Sequence, residues 1–144
     1  MTKQELKILI GLHRSVNRID KESIRLFSKY DLTMGQFAVL EALYHKEDLT
    51  VGQVQQKILS TSGTIPVIIR NLEGRGYLVR LTDKKDKRRC LLHITAKGKS
   101  LIDQVYPQNE KLIVDMLAVL SEEEKIQLVS LLKKTGGMDN GTQS

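Results

Sequence analysis

The spacing of apolar residues along the chain predicts a mainly helical protein that begins with one long helix. Over residues 3–30 the apolar positions recur at alternating steps of three and four, which is close to a heptad repeat. The stripe consists of Leu9, Leu12, Val16, Ile19, Ser23, Leu26 and Tyr30. Further apolar residues lie off the stripe at Ile8, Ile10, Ile24 and Phe27. A helix that is apolar on more than one side needs more than one neighbour, and a partner chain would supply one.

Shorter helices are predicted in the middle of the chain, and hydroxyl residues mark where two of them begin. Thr33 precedes Gln36 by three residues and Thr50 precedes Gln53 by three, which is the spacing of a capping box. The first box opens a helix whose predicted core face is Phe37, Leu40, Leu43 and Tyr44. The second opens a short helix whose predicted inward-facing residues are Val51, Val54 and Ile58. The helix after it, within residues 60–73, buries on one face Ile65, Ile68, Ile69 and Leu72.

A hairpin is predicted directly after these helices. Gly74 and Gly76 are expected to end the preceding helix in a left-handed conformation. Residues 77–81 and 90–94 have the composition of two strands, and residues 82–89 form the charged turn between them. Two helices joined by a short turn and followed by a basic hairpin are typical of a winged helix-turn-helix.

The remainder of the chain is predicted to be helical again. Thr95 caps a fifth helix, which Pro107 is expected to kink, and residues 121–124 open a sixth. The predicted fold is therefore mainly α, a winged helix-turn-helix with a two-stranded β-wing and long terminal dimerisation helices. We assign residues 1–30 and 95–135 to the helical dimerisation region, residues 31–94 to the winged DNA-binding lobe and residues 136–144 to a disordered tail.

The positive charge of the chain is concentrated in the predicted lobe. Residues 70–99 contain ten Lys or Arg against three Asp or Glu, a net charge of +7 in a chain whose total is +6. The rest of the chain therefore sums to about −1. Positive charge confined to one module is the signature of a surface that binds a polyanion. A charged turn that is merely solvated is the alternative interpretation.

Other features narrow the class of protein. The chain has one cysteine, so no disulfide can form within it, which fits a reducing cytoplasm. No apolar run approaches the ~20 residues of a membrane span, and no signal peptide is recognisable. There is no glycine-rich phosphate loop and no nucleophile motif, so we predict that the protein is not an enzyme. The histidines lie far apart along the chain, so neither a metal nor a cofactor is expected.

The outward face of the helix within residues 60–73 carries side chains that suit base edges in a major groove. On or beside this face lie Gly63, Thr64, Pro66, Val67, Arg70 and Asn71. Thr50 and Gly52 stand at a helix N-terminus, whose free amides suit a phosphate. Four basic residues of the turn are expected to contact DNA phosphates and release counterions, which gives affinity for DNA that does not depend on its sequence. They are Lys84, Lys85, Lys87 and Arg89. A winged module that assembles proteins is the alternative, but it would need an apolar or acidic wing, and residues 80–89 carry six positive and two negative side chains.

Two smaller questions stay open at the level of the sequence. Cys90 shares strand parity with Leu92 and Ile94, which predicts a small buried hydrophobe; a redox role in the wing is the minority alternative. For the ion pairs near the helix end, either Arg80 pairs with Asp86, or Glu73 holds one of the arginines at helical spacing.

Four segments, in this order and spacing, resemble the MarR family of bacterial transcription regulators. They are residues 32–40 (LTMGQFAVL), 71–80 (NLEGRGYLVR), 86–89 (DKRR) and 94–98 (ITAKG). The resemblance extends over about residues 6–132 and includes Pro107 and the run at residues 120–124. It is more specific than a shared fold.

The resemblance implies a homodimer, built from the first and the last two helices of each chain, that carries two winged lobes. Members of the family bind pseudopalindromic operators in double-stranded DNA and usually repress nearby genes. Many are released by a small phenolic or other lipophilic effector, or by oxidation of a cysteine. The peroxide-sensing branch has its cysteine in the first helix, and this chain has none before position 90, so that mechanism is not transferred.

Residue roles also follow from the resemblance. Arg88 would enter the minor groove while Asp86 orients it. An Arg there meets an enhanced negative potential. The exposed recognition positions are Ser62, Gly63, Thr64, Pro66, Val67 and Arg70. Val67, apolar on an exposed face, suits a thymine methyl group.

Overall fold

The computed structural model describes residues 3–58 and 64–138, and within them the chain forms six helices and two strands. The elements are α1 (Gln4–Ser28), α2 (Met34–Lys46), α3 (Val51–Lys57), α4 (Ile65–Gly74), β1 (Leu78–Thr82), β2 (Cys90–Ile94), α5 (Ala96–Met116) and α6 (Glu122–Lys134). The order of elements confirms the predicted fold class. Two compact units are present, residues 1–112 and residues 113–144.

Three capping boxes set where α2, α3 and α6 begin. The Thr33 side chain accepts a hydrogen bond from the Gln36 backbone N–H at 3.1 Å, and the Gln36 side chain accepts one from the Thr33 N–H at 2.9 Å. Thr50 with Gln53 repeats this reciprocal pair at the start of α3, and residues 121 and 124 repeat it at the start of α6. The predicted helix starts are confirmed. Each start depends on two residues only three positions apart, which is why the sequence was enough to predict it.

Helix α1 has two different halves. Toward its C-terminal end Leu26 and Phe27 are buried, and Phe27 stacks on Phe37 of α2 with 4.3 Å between ring centroids. Ser23 is also buried, and its hydroxyl donates to Asn109 Oδ1 at 2.7 Å, which explains a polar residue in the apolar stripe. The N-terminal half, by contrast, leaves large apolar residues exposed: Leu6, Ile8, Leu9, Ile10, Leu12 and Val16.

The core of the first unit lies where α2 and α4 pack on each other and on the hairpin. Helix α2 buries Phe37, Leu40 and Leu43 as predicted, and it also buries Val39. The prediction that Tyr44 lies in the core is wrong. Tyr44 is exposed at the surface, and its hydroxyl group donates a hydrogen bond to Asp103 Oδ1 at 2.5 Å there.

The hairpin packs against the helices of the first unit at the end where β1 begins and β2 ends. Strands β1 and β2 are antiparallel, with Leu78 opposite Ile94 and Thr82 opposite Cys90. Leu78 and Ile94 are buried, and Leu92 exchanges two backbone hydrogen bonds with Leu49, which ties β2 to the segment between α2 and α3. The predicted burial of Cys90 is wrong: its parity matches that of Leu92, but it stands at the outer end of the strand, beyond the core.

The junction between the hairpin and α5 explains why residues 94–98 carry a distinctive motif. The Thr95 hydroxyl donates to the Gly76 carbonyl at 2.6 Å and accepts from the Gly98 N–H at 3.1 Å. A Cβ on Gly98 would lie 2.3 Å from the Tyr77 carbonyl oxygen, so only glycine fits there. Gly76 has φ +81°, as predicted for a left-handed helix end, but Gly74 is helical, contrary to prediction, because the turn needs only one such residue.

Helix α5 continues through Pro107, and the kink predicted there stays a prediction. In the second unit, α6 buries none of its residues. Thr135 is the C-cap of α6, and just beyond it the N–H groups of Gly136, at φ +85°, and Gly137 donate hydrogen bonds to carbonyls of the last turn. The remainder of the predicted tail, residues 139–144, lies outside the described residues. No helix in the described ranges has the length and apolar character needed to cross a membrane.

Candidate nucleic-acid interface

Helix α4 presents a polar face on one side and anchors itself with the other. Ile65, Ile69 and Leu72 are buried, whereas Ile68 is only half-buried. A Cβ on Gly35 of α2 would lie 2.9 Å from the Ile68 side chain, so the glycine allows α2 and α4 to approach closely. This packing places α4 directly against α2 in the first unit.

The residues predicted to contact DNA lie on the exposed side of α4 where the structure describes them. Val67 is 52% exposed, although α4 buries apolar residues on its other side. Thr64, Pro66, Arg70 and Asn71 are exposed beside it. Ser62 and Gly63 lie outside the described residues. The exposed face therefore carries a short apolar group, a guanidinium and a carboxamide, each suited to a different feature of a base pair.

Two aspartates order the turn of the hairpin, which we call the wing (residues 83–89). Asp83 Oδ1 accepts from the Lys85 N–H at 2.9 Å. Asp86 Oδ1 accepts from the Arg88 N–H at 3.1 Å and from Arg88 Nε at 3.3 Å. The carboxylates thus satisfy backbone donors of a loop whose basic side chains all remain outside.

Arg88 is the most exposed arginine side chain of the wing. It is 92% exposed, and Asp86 holds its Nε atom. Arg89 is nearer the body and lies 3.9 Å from Asp83. Lys84, Lys85 and Lys87 are exposed as well. A guanidinium that is held at its base and free at its tip can enter a narrow groove without prior rearrangement.

The ion pairs beside α4 differ from both alternatives that the sequence allowed. Glu73 pairs with Arg80 of β1 at 3.3 Å, and Asp86 pairs within the wing. Arg75 donates to the Asp31 carbonyl at 2.7 Å and lies over the Tyr77 ring. The strand places Arg80 opposite the end of α4, a proximity that spacing along the chain does not reveal.

One polar contact to α4 was missed by sequence reasoning. Gln36 Nε2 donates to Asn71 Oδ1 at 2.8 Å, which links the start of α2 to the exposed face of α4. Both residues line a cavity of about 400 Å³ that also borders Thr33 and Arg75. The available signal was the identity of Gln36, because a Gln in a capping box has a second polar end that the box does not use.

The histidines make separate contacts. His93 Nδ1 lies 2.6 Å from Asp48 Oδ1, and His45 packs edge-on against Tyr44 and Tyr106. Within the described residues, no group of three His, Cys, Asp or Glu side chains is arranged to hold a metal ion.

Glu41 lies near His45 and Tyr106, in an environment that disfavours the charged form of its carboxyl group. Burial raises the pKa of its carboxyl above the ordinary value of 4.5, and the His45 charge offsets only part of that effect. Because the folded state binds this proton more tightly than the unfolded chain, the contribution of Glu41 to stability is fullest below pH 4.5 and is lost as pH rises through its higher folded-state pKa.

We therefore expect Glu41→Gln to raise the melting temperature at neutral pH, with a gain that shrinks toward zero below pH 4.5. Thermal unfolding over a pH series measures this. Glu47→Gln, at an exposed residue just beyond the same helix, removes the same charge and is the control; at neutral pH we expect it to raise the melting temperature less than Glu41→Gln does. A gain from Glu41→Gln that does not depend on pH would contradict the assignment to ionisation.

These features define a class of protein. A helix packed on its predecessors with a polar face exposed, followed by an antiparallel hairpin with a cationic tip, is a winged helix-turn-helix. Residues 21–105 match the family model described as "Transcriptional regulator SarA/Rot". The regulator MhqR of Bacillus subtilis is 37% identical over 136 residues, which cover 94% of each chain.

Solved structures show the same fold. BpsR of Bordetella bronchiseptica, whose structure concerns regulation of its DNA binding by 6-hydroxynicotinic acid, superimposes with a TM-score of 0.82 at 24% identity, over 96% of this chain and 99% of that one. The S. aureus MepR–DNA complex gives 0.76 at 24% identity, over 95% and 98%. The chain belongs to the MarR-type winged-helix transcriptional regulators, which confirms the resemblance found in the sequence. Its relatives are regulators and not enzymes, as predicted.

Proposed function

We propose that this protein is a dimeric repressor that binds a pseudopalindromic operator in double-stranded DNA and leaves it when a small-molecule effector binds. The observation that carries the proposal is the wing: a loop ordered by its own aspartates that exposes Arg88 and its lysines to solvent. Positive charge concentrated in one exposed loop is typical of a surface that binds a polyanion. The site of action would be the cytoplasm, where bacterial DNA is.

Each part of the lobe has a role in this proposal. The exposed face of α4 reads the major groove with Thr64, Pro66, Val67, Arg70 and Asn71, together with Ser62 and Gly63 just before it. Arg88, oriented by Asp86, enters the minor groove. Lys84, Lys85, Lys87 and Arg89 neutralise phosphates, and Thr50 and Gly52 approach one at the start of α3.

The proposal of a dimer is supported by apolar side chains that the chain itself leaves exposed. Helix α1 exposes Leu9, Leu12 and Val16 on one stripe, and α6 exposes Ile126 and Leu131. Several exposed apolar residues grouped on one helix are typical of a protein–protein interface. The proposed dimerisation region comprises residues 1–30 and 95–135, and the lobe comprises residues 31–94. Two lobes on a twofold axis would match a pseudopalindrome.

The effector is proposed as a small phenolic or other lipophilic compound bound between the dimerisation helices and the lobe. Support comes from BpsR, the structural neighbour whose DNA binding is regulated by an aromatic acid. Binding there would move the lobes relative to each other and so change the spacing at which both fit DNA.

Binding to mixed genomic fragments at several salt concentrations tests the function. We expect binding that prefers certain fragments and weakens steeply with salt, because phosphate contacts release counterions. On a selected fragment, Arg70→Ala should lower discrimination against random DNA by about 1–3 kcal/mol. An equal loss on all sequences would make Arg70 a phosphate contact. No binding even at low salt would favour a protein-assembly module and overturn the proposal.

A further inference from the structure

A continuous hydrogen-bonded chain runs from the N-terminus of α2 to the exposed face of α4. The Thr33 N–H donates to Gln36 Oε1 at 2.9 Å, and Gln36 Nε2 donates to Asn71 Oδ1 at 2.8 Å. Gln36 therefore uses both ends of its carboxamide: one caps α2 and the other reaches α4. Asn71 belongs to the proposed DNA-reading face, whereas Gln36 does not.

The direction of this chain follows from its first member. A backbone N–H can only donate, so the Gln36 group that faces Thr33 must be the oxygen. The Gln36 NH₂ group must then face Asn71, and the Asn71 side-chain oxygen must accept its hydrogen bond. This reasoning fixes the orientation of both carboxamides, which a side-chain amide by itself does not reveal.

We infer that Gln36 is a positioning residue for DNA recognition, because it holds the Asn71 carboxamide with its oxygen inward and leaves its NH₂ group to donate to the DNA. The inference rests on the proposed function. Asn71 then contacts an acceptor atom, either a phosphate oxygen or a base acceptor such as guanine O6 or N7.

The chain itself contains a matched control for Gln36. Gln53 makes the same two capping bonds, to Thr50 at the start of α3. Within the described residues, Gln53 forms no side-chain hydrogen bond to α4. Replacing either Gln by Ala removes the same type of cap, but only Gln36→Ala releases Asn71.

The experiment is a double-mutant cycle on the full-length chain, with operator affinity as the readout. Gln36→Ala should weaken operator binding about three- to tenfold, as loss of one oriented hydrogen bond implies. In the Asn71→Ala background the same substitution should change affinity by less than about twofold, within the error of independent effects. Gln53→Ala should have the same effect in both backgrounds.

A second pair of variants separates positioning from folding. Glu124 fills the same position in the capping box of α6 and accepts from the Ser121 N–H at 2.8 Å, so Gln36→Glu should keep the cap and the melting temperature. It cannot donate to Asn71, so it should weaken operator binding more in the wild-type background than in the Asn71→Ala background, where only the added charge acts.

The possible failures are distinguishable. If the wild-type protein binds no DNA, the proposed function fails and the inference fails with it. If it binds DNA but Asn71→Ala has no effect, or if Gln36→Ala weakens binding equally with and without Asn71, the inference alone is overturned. Asn71→Ala on operator and on random DNA separates the two acceptors, because a phosphate contact is lost equally on both and a base contact only on the operator.

Discussion

Replacing Leu12 and Val16 together by Glu is expected to convert the proposed dimer into monomers and to reduce operator affinity by about 10²- to 10⁴-fold. These residues are 40% and 52% exposed and lie one helical turn apart on α1. A carboxylate in an apolar interface loses its hydration without gaining a partner, so association becomes unfavourable. The affinity then falls because two linked lobes become two independent ones. Sedimentation equilibrium and operator titration measure the two effects.

Arg14→Glu with Arg18→Glu, both at exposed residues, is the control for this variant. At 100° per residue these positions lie on the opposite side of α1. The control removes more positive charge than the test variant, so a loss caused by charge alone would be at least as large in it. We expect the control to remain dimeric. A Leu12 and Val16 variant that stays dimeric, or a monomer that retains wild-type affinity, would contradict the proposed assembly.

Arg88→Ala should weaken operator binding by about tenfold or more, since charged hydrogen bonds are among the strongest at such an interface. Its side chain is 92% exposed and is held by Asp86, so neither the melting temperature nor the molecular mass in solution should change. Gel shift, thermal unfolding and light scattering on the same preparation test all three expectations.

The matched substitution is Arg25→Ala. Arg25 is also exposed and paired with a nearby carboxylate, Glu22 at 3.2 Å, but it lies in α1 and outside the wing. Both variants lose one positive charge. If they weaken binding equally, the wing contributes only general charge, and the minor-groove role of Arg88 is wrong.

Helix starts and the hairpin could be read from the sequence because their determinants are local. A capping box needs two residues three apart, and all three boxes form as the spacing indicates. Cys90 shows the limit of such reasoning: alternation gives the side on which a residue lies, but how far the core extends along the strand depends on what packs against it.

The amino-acid sequence by itself determined the family, the order of elements and the cationic wing, since periodicity, caps and charge are properties of neighbouring residues. Only the tertiary structure decided which polar groups meet: Glu73 with Arg80, Tyr44 with Asp103 and Gln36 with Asn71. Such partners lie up to 59 residues apart, and a hydrogen bond forms only when packing brings donor and acceptor within about 3 Å. Many polar side chains could pair at such separations along the chain. Which of them come within hydrogen-bonding distance depends on how the helices and strands pack in the core.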